Sequence, residues 1–164
     1  MKKSFVLVVA LLAAGVVQAS GTLDKIKSSG TITLGVRESS GALGFTLGDG
    51  KYVGFHTEMA ERISADLRKK LGLSSLTVKF QPVTSQNRIP LIENGTVDLE
   101  CGSTTNNAAR QKQVAFAVTT YVEEVRIAVK ASSGITSIAQ LNGKKVATTT
   151  GTTSVQLLRK HERA

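Results

Sequence analysis

The chain has no tryptophan and a single cysteine, Cys101, so no disulfide can close within it in any redox compartment. Acids are scarce too: 12 aspartates and glutamates face 21 lysines and arginines, a formal charge of +9 over 164 residues. Histidine occurs twice, and His56 has no second ligand beside it, which argues against a metal site. Among the few acids, Glu38, Asp98 and Glu100 form no evidently juxtaposed pair. They read as loop or strand-end groups, not as the positioned acid and base that catalysis requires. Long apolar runs are confined to one place, Phe5 to Val17, which is too short for a comfortable membrane span.

That run is the first feature present. Lys2 and Lys3 precede it and Val17-Gln18-Ala19 ends it with small residues, the layout of a secretory leader cleaved after Ala19. No cysteine follows the cut to accept a lipid, so export to the periplasm as a soluble protein is expected. Removing the leader leaves 19 basic against 12 acidic residues, a surplus of seven. The basic residues are dispersed, and the densest group, Arg68-Lys69-Lys70, closes an amphipathic helix where cations suit the macrodipole. Nucleic acid is therefore not an expected partner.

The remaining pattern alternates strands and helices. Thr22 to Ser29 reads as a short helix with Leu23 and Ile26 turned inward, and Thr31 to Val36 as a strand delivering Arg37. Gly41 to Gly54 is a glycine-rich connection. Phe55, Met59, Ile63, Leu67 and Leu71 recur every fourth position and predict the core stripe of a helix ended by Gly72. Leu76 to Val83 reads as a strand, and a helix carrying Pro90 follows. Val97 to Cys101 is a further strand, with Cys101 as a small buried hydrophobe. An asparagine of the Gly102 to Asn107 loop is expected to cap the helix of Arg110. Strands are also predicted at Val125 to Lys130 and Lys145 to Thr149, and helices at Ser137 to Leu141 and Val155 to Arg159. The α/β order predicts a parallel sheet whose loops gather on one edge, with Arg37, Arg88 and Arg110 on or near it.

Between Thr84 and Gln113 two arginines and a run of hydroxyls come from two successive turns. Guanidinium forks pair bidentately with carboxylates, and hydroxyls and backbone amides take the remaining lone pairs. The inventory suits a small molecule bearing negative charge. Thr150-Gly151-Thr152-Thr153-Ser154, opening the last helix, adds a weaker anion-cradle signal.

Taken together, Gly21 to Ile26, Arg37 to Ser40, Thr84 to Leu91, Asn94 to Asp98, Glu100 to Asn107, Arg110 to Gln113 and Gly151 to Ser154 carry a resemblance. The chain resembles the periplasmic polar amino-acid-binding proteins of ABC importers, and within them the glutamate/aspartate-binding proteins. That resemblance implies a periplasmic-binding-protein-like type II fold of two α/β lobes closing on a ligand. Residues 20–124 would form lobe one and 125–164 the start of lobe two. It implies that Arg110, Thr105 and Thr153 hold the ligand's α-carboxylate. Arg37, Ser85 and Arg88 would surround the side-chain carboxylate, with Ser103 between the ends. The expected partners are L-glutamate or L-aspartate and a membrane permease; no cofactor is implied, and a complete protein would be a monomer. An amide such as glutamine would leave Arg37 and Arg88 uncompensated and be rejected.

Two positions depart from the family pattern, Ala109 and Ala115, where many relatives have acids. The family also continues past the position of Ala164 with the rest of lobe two and the acid that holds the ligand's ammonium. On that expectation lobe two is incomplete, too short to bury its own core, and glutamate is held weakly. Two other classes compete. The same lobes occur in dehydratases and beside lytic transglycosylases, and as sensory modules of receptors. A general acid or base would be needed for the first and a transmembrane segment for the second.

Overall fold

A computed structural model describes residues 20–163, and the leader expected at 1–19 lies outside them. Helix α1 (Ser20–Ser29) stops at Gly30, whose φ of +62° ends the helix in the left-handed conformation. Strand β1 (Thr31–Val36) follows at once. Its alternate side chains Ile32, Leu34 and Val36 are fully buried, and with Ile26 and Ala60 they form the core. A hairpin of β2 (Phe45–Gly48) and β3 (Lys51–Val53) occupies what the sequence suggested was only a glycine-rich connection. Asp49-Gly50 makes its turn, both residues at positive φ.

Helix α2 (Phe55–Lys70) forms where the period predicts, but it buries a different face. Its buried residues are His56, Thr57, Ala60 and Ser64, while Phe55 and Ile63 of the expected stripe are exposed. Small side chains at 60 and 64 let the helix lie close on β1, and Ser64 satisfies its hydroxyl by donating to the Ala60 carbonyl at 2.8 Å. Gly54 fixes the start: a Cβ there would sit 2.8 Å from Gly44 Cα, and its φ is +120°. Phe55 and Ile63 are thereby displaced to the flank, whereas Leu67 and Leu71 of the expected stripe do pack against the core. Leu23 is likewise exposed, leaving Ile26 to seal α1.

Strand β4 (Thr77–Pro82) pairs parallel with β1 from Thr31↔Thr77 to Val36↔Pro82. After α3 (Arg88–Glu93), β5 (Leu99–Glu100) pairs parallel with the other side of β1, giving the order β4-β1-β5. The predicted strand over Val97 to Cys101 shortens to two residues. At its start Asp98 turns its carboxylate onto the Thr33 amide at 2.8 Å, and its other oxygen pairs with Lys25 Nζ at 2.8 Å. Cys101 lies past the strand end and is half-buried, and burial pushes its thiol up to about 11.

Beyond Val114 the expected pattern fails. Val125 to Lys130 and Lys145 to Thr149 form no strand; every residue in both stretches is exposed. Alternating apolar residues make a strand only beside a hydrogen-bonding neighbour, and among the described residues none lies there. The predicted helix at Ser137 to Leu141 is a 3-10 turn over Ile138–Leu141, and the last helix, α4 (Thr153–Glu162), is longer than predicted. No helix among the described residues is long and apolar enough to cross a membrane.

Candidate functional site

Three parallel strands point their C-terminal ends the same way, so the loops after β1, β4 and β5 meet at one edge. The first delivers Arg37. Its Nε donates to Ser40 Oγ at 3.0 Å and its Nη1 to the Val83 carbonyl at 2.7 Å, which ties the guanidinium across to the end of β4.

The second loop is locked from within. The Thr84 amide donates to Asn87 Oδ1 at 2.7 Å, and the Asn87 amide donates back to Thr84 Oγ1 at 3.2 Å. This reciprocal pair fixes Ser85, half-buried, and launches Arg88 as the first residue of α3. Arg88 is only 3% exposed. Its Nη1 reaches Ser103 Oγ at a long 3.5 Å, and its Nε has no partner. Burial pushes its pKa down to about 10; Glu100 opposes that fall, whereas Arg110 and Arg37 deepen it. Arg88 is therefore near enough to both other guanidiniums to be repelled by each.

The third loop carries Ser103 and Thr105 and leads to Arg110, which opens a 3-10 turn, Arg110–Lys112, in place of the expected helix. Asn107 caps it, its Oδ1 accepting the Arg110 amide at 3.0 Å. The Arg110 guanidinium donates to the Thr105 carbonyl at 3.0 Å and to the Gly151 carbonyl at 2.9 Å. Gly151 belongs to the turn before α4, and that turn lies hard against the second loop: a Cβ at 151 would meet the Ser85 carbonyl oxygen at 2.5 Å. Thr153 is thus carried to the same edge as the first residue of α4. Thr152 does not cap that helix; its hydroxyl donates back to the Thr149 carbonyl at 2.7 Å.

An open cavity of about 750 Å³ adjoins this edge, lined by Arg37, Ser39, Ser40, Ser103, Phe55, Tyr121 and Glu123 among others. All seven residues singled out from the sequence lie on these three loops, on the turn docked against them, or at the first residue of the helix or 3-10 turn that follows. Sequence reasoning missed the supporting groups: Ser40 and the Val83 carbonyl under Arg37, the Gly151 carbonyl under Arg110, and Glu100 between the arginines. Backbone carbonyls leave no trace in a sequence, and a glutamate at a strand end reads there as a solvated terminus. His56 is buried behind the site, its Nε2 3.2 Å from Thr120 Oγ1 and its Nδ1 without a partner. No group of metal-ligating residues occurs among the described residues.

Residues 32–164 match the model of the bacterial extracellular solute-binding proteins, family 3. An L-glutamate/L-aspartate-binding protein of Pseudomonas aeruginosa is 47% identical over 160 residues, covering 95% of this chain and 53% of that protein. A glutamate/aspartate import solute-binding protein of Escherichia coli is 46% identical over 156 residues, 91% of this chain and 52% of that protein. The chain thus spans about half the length of the curated relatives it matches. Among solved structures, an ABC uptake transporter substrate-binding protein from Streptococcus pneumoniae with bound histidine superposes with a TM-score of 0.68. That alignment has 24% identity and covers 89% of this chain and 56% of the other; it shows a shared α/β fold of the periplasmic-binding-protein kind.

Proposed function

The chain belongs to the bacterial extracellular solute-binding proteins of family 3, and from that premise we propose that it serves an amino-acid ABC importer by binding an acidic amino acid. L-glutamate or L-aspartate is captured in the periplasm and handed to the membrane permease. The relatives at 46 and 47% identity bear glutamate and aspartate in their names, which favours those ligands here. One observation carries the reading from the side of chemistry: three guanidiniums from three consecutive sheet loops crowd at one edge, two of them with depressed pKa values. A buried cation with two half-buried ones near it is stabilised by anions, and an α-carboxylate with a side-chain carboxylate supplies two.

In the proposed arrangement Arg110, Thr105 and Thr153 take the α-carboxylate. Arg37, Ser85 and Arg88 take the other carboxylate, and Ser103 bridges. Residues 20–124 act as one jaw and the segment from Val125 belongs to the second. The Arg110 link to the Gly151 carbonyl is the contact through which one jaw would sense the other. Binding makes and breaks no covalent bond, so no catalytic residue is assigned.

Calorimetry of the full chain with L-glutamate, L-aspartate and L-glutamine tests the proposal. The acidic ligands are expected to bind at least about tenfold tighter than glutamine, because the amide leaves buried guanidiniums unpaired. Equal affinity for glutamate and glutamine would overturn it.

A further inference from the structure

Glu100, the last residue of β5, occupies a place that two glycines clear for it. In the β1–β5 register Gly35 stands opposite Glu100. A Cβ at Gly35 would lie 3.2 Å from Glu100 Cγ, and one at Gly102 would lie 2.0 Å from Glu100 Oε1 and 3.0 Å from its Cδ. Neither glycine has a positive φ, so it is space and not backbone conformation that calls for glycine at both positions. The side chain that uses this space is a carboxylate. Thr104 Oγ1 donates to its Oε2 at 2.8 Å, while Oε1 is sealed from water with no hydrogen-bond partner.

A carboxylate with a buried, unpartnered oxygen is expensive unless cations surround it. Here arginines do. Arg88 of α3 and Arg110 of the following 3-10 turn feel its charge, and the Arg37 Cγ lies 3.3 Å from the same Gly102 Cβ position that Glu100 Oε1 approaches to 2.0 Å; His56 of α2 feels the charge too, although burial favours its neutral form. The Cys101 thiol is also next to it. None of the arginines forms an ion pair with Glu100; Arg37 and Arg110 spend donors on backbone carbonyls and on Ser40, while Arg88 keeps its Nε without a partner and reaches Ser103 only at 3.5 Å. Among the buried and half-buried groups of these loops, three positive charges and one negative charge leave a surplus of two; Glu123, which also lines the cavity, is exposed and its charge is screened by solvent.

We propose that Glu100 is a specificity-determining residue: a built-in counter-charge, seated by Gly35 and Gly102, that reduces the Arg37–Arg88–Arg110 cluster to the surplus matching a ligand with two carboxylates. The choice of ligand class rests on the proposed function above, whereas the charge count does not. Such a residue touches no ligand. It decides how many anionic groups the arginines accept, and it keeps them from repelling one another when the cleft is empty.

Titration of the full chain with L-glutamate and with citrate, a tricarboxylate, tests this, by calorimetry and by the thermal-midpoint shift each ligand produces. Glu100→Gln deletes the charge but keeps the size and an oxygen for Thr104. It is expected to shift the affinity ratio toward citrate by about tenfold, the effect of one charge at partly screened distance. Glu100→Asp keeps the charge and is expected to keep the wild-type ratio. An unchanged ratio in folded Glu100→Gln overturns the proposal, as does an equal shift in Glu100→Asp, which would make the role one of shape. Should Glu100→Gln not fold, Gly102→Ala takes its place, since its Cβ evicts the carboxylate; no movement of the ratio there overturns the proposal. A wild type that ignores L-glutamate while Glu100→Gln gains on citrate sinks the dicarboxylate ligand and supports the counter-charge. No response to citrate in either protein sinks the counter-charge.

Discussion

Residues 20–114 and 115–163 are built from similar amino acids and end in different conditions. The first stretch holds every buried residue described: Ile26, Ile32, Leu34, Val36, Ala60, Val83 and Val97 among the apolar ones. In the second stretch no described residue is buried, although Val118, Val122, Val125, Ile127, Val129, Val146 and Leu157 are as apolar as those of the core. The contrast is one of partners. Strand β1 has β4 on one side, β5 on the other and two helices against it, so each apolar side chain it turns inward loses its water. Val125, Ile127 and Val129 alternate as regularly but have no neighbouring strand among the described residues. Hydrophobicity supplies a driving force only where a second surface receives it.

The sharpest way to break the comparison is to truncate one residue in each stretch. Leu34→Ala is expected to lower stability by about 2–5 kcal/mol, whereas Ile127→Ala should stay within about 0.5 kcal/mol, both read from urea unfolding. Comparable losses would mean that the second stretch is packed after all. Next in size is Asp98→Ala. Its carboxylate is 2% exposed and holds both Lys25 and the Thr33 amide. A loss of about 2 kcal/mol is expected, less than for a fully buried pair because Lys25 is half-exposed.

Gly151→Ala probes a tight seam between the two stretches. A Cβ there meets the Ser85 carbonyl at 2.5 Å, and φ is +78°. The turn should leave the Ser85 loop, at a strain of about 1–2 kcal/mol if it stayed. Amide exchange over residues 149–163 is expected to quicken, while exchange in β1 stays at the wild-type rate. Uniform acceleration would show instead that the stretches unfold together.

The smallest effect expected comes from His56. Burial lowers its pKa below 6.5, with Glu100 opposing in part. The unfolded chain therefore takes up the proton first, so the stability contributed by neutral His56 is complete above pH 6.5 and declines as pH falls below it. The decline should vanish in His56→Gln when thermal midpoints are compared at pH 7.5 and 5.5. A variant with the same pH slope would assign the slope elsewhere.

Much of the first stretch was legible because its signals are local. The period-2 burial of Ile32, Leu34 and Val36, the stop at Gly30 and the Asn107 cap are set by residues a few positions apart. The face of α2 was legible only in its second half, where Leu67 and Leu71 pack against the core; in the first half the choice between Phe55-Met59-Ile63 and His56-Ala60-Ser64 depends on how close the helix comes to β1. Small side chains won by permitting a closer approach. The β2–β3 hairpin was missed because Gly48 and Gly50 make its two short strands, of four and three residues, look like loop.

At the candidate site, sequence alone determined which residue types stand after each strand, and so that Arg37, Arg88 and Arg110 reach one edge of a parallel sheet. Chain order and the shared strand direction suffice for that. Only tertiary structure decided what surrounds them: the Val83 and Gly151 carbonyls that hold two of the guanidiniums, the burial that brings Arg88 to about 10, and the glycine-lined slot that puts Glu100 among them. Those depend on distances between residues far apart in the chain, and on the water that packing removes, neither of which any stretch of sequence carries by itself.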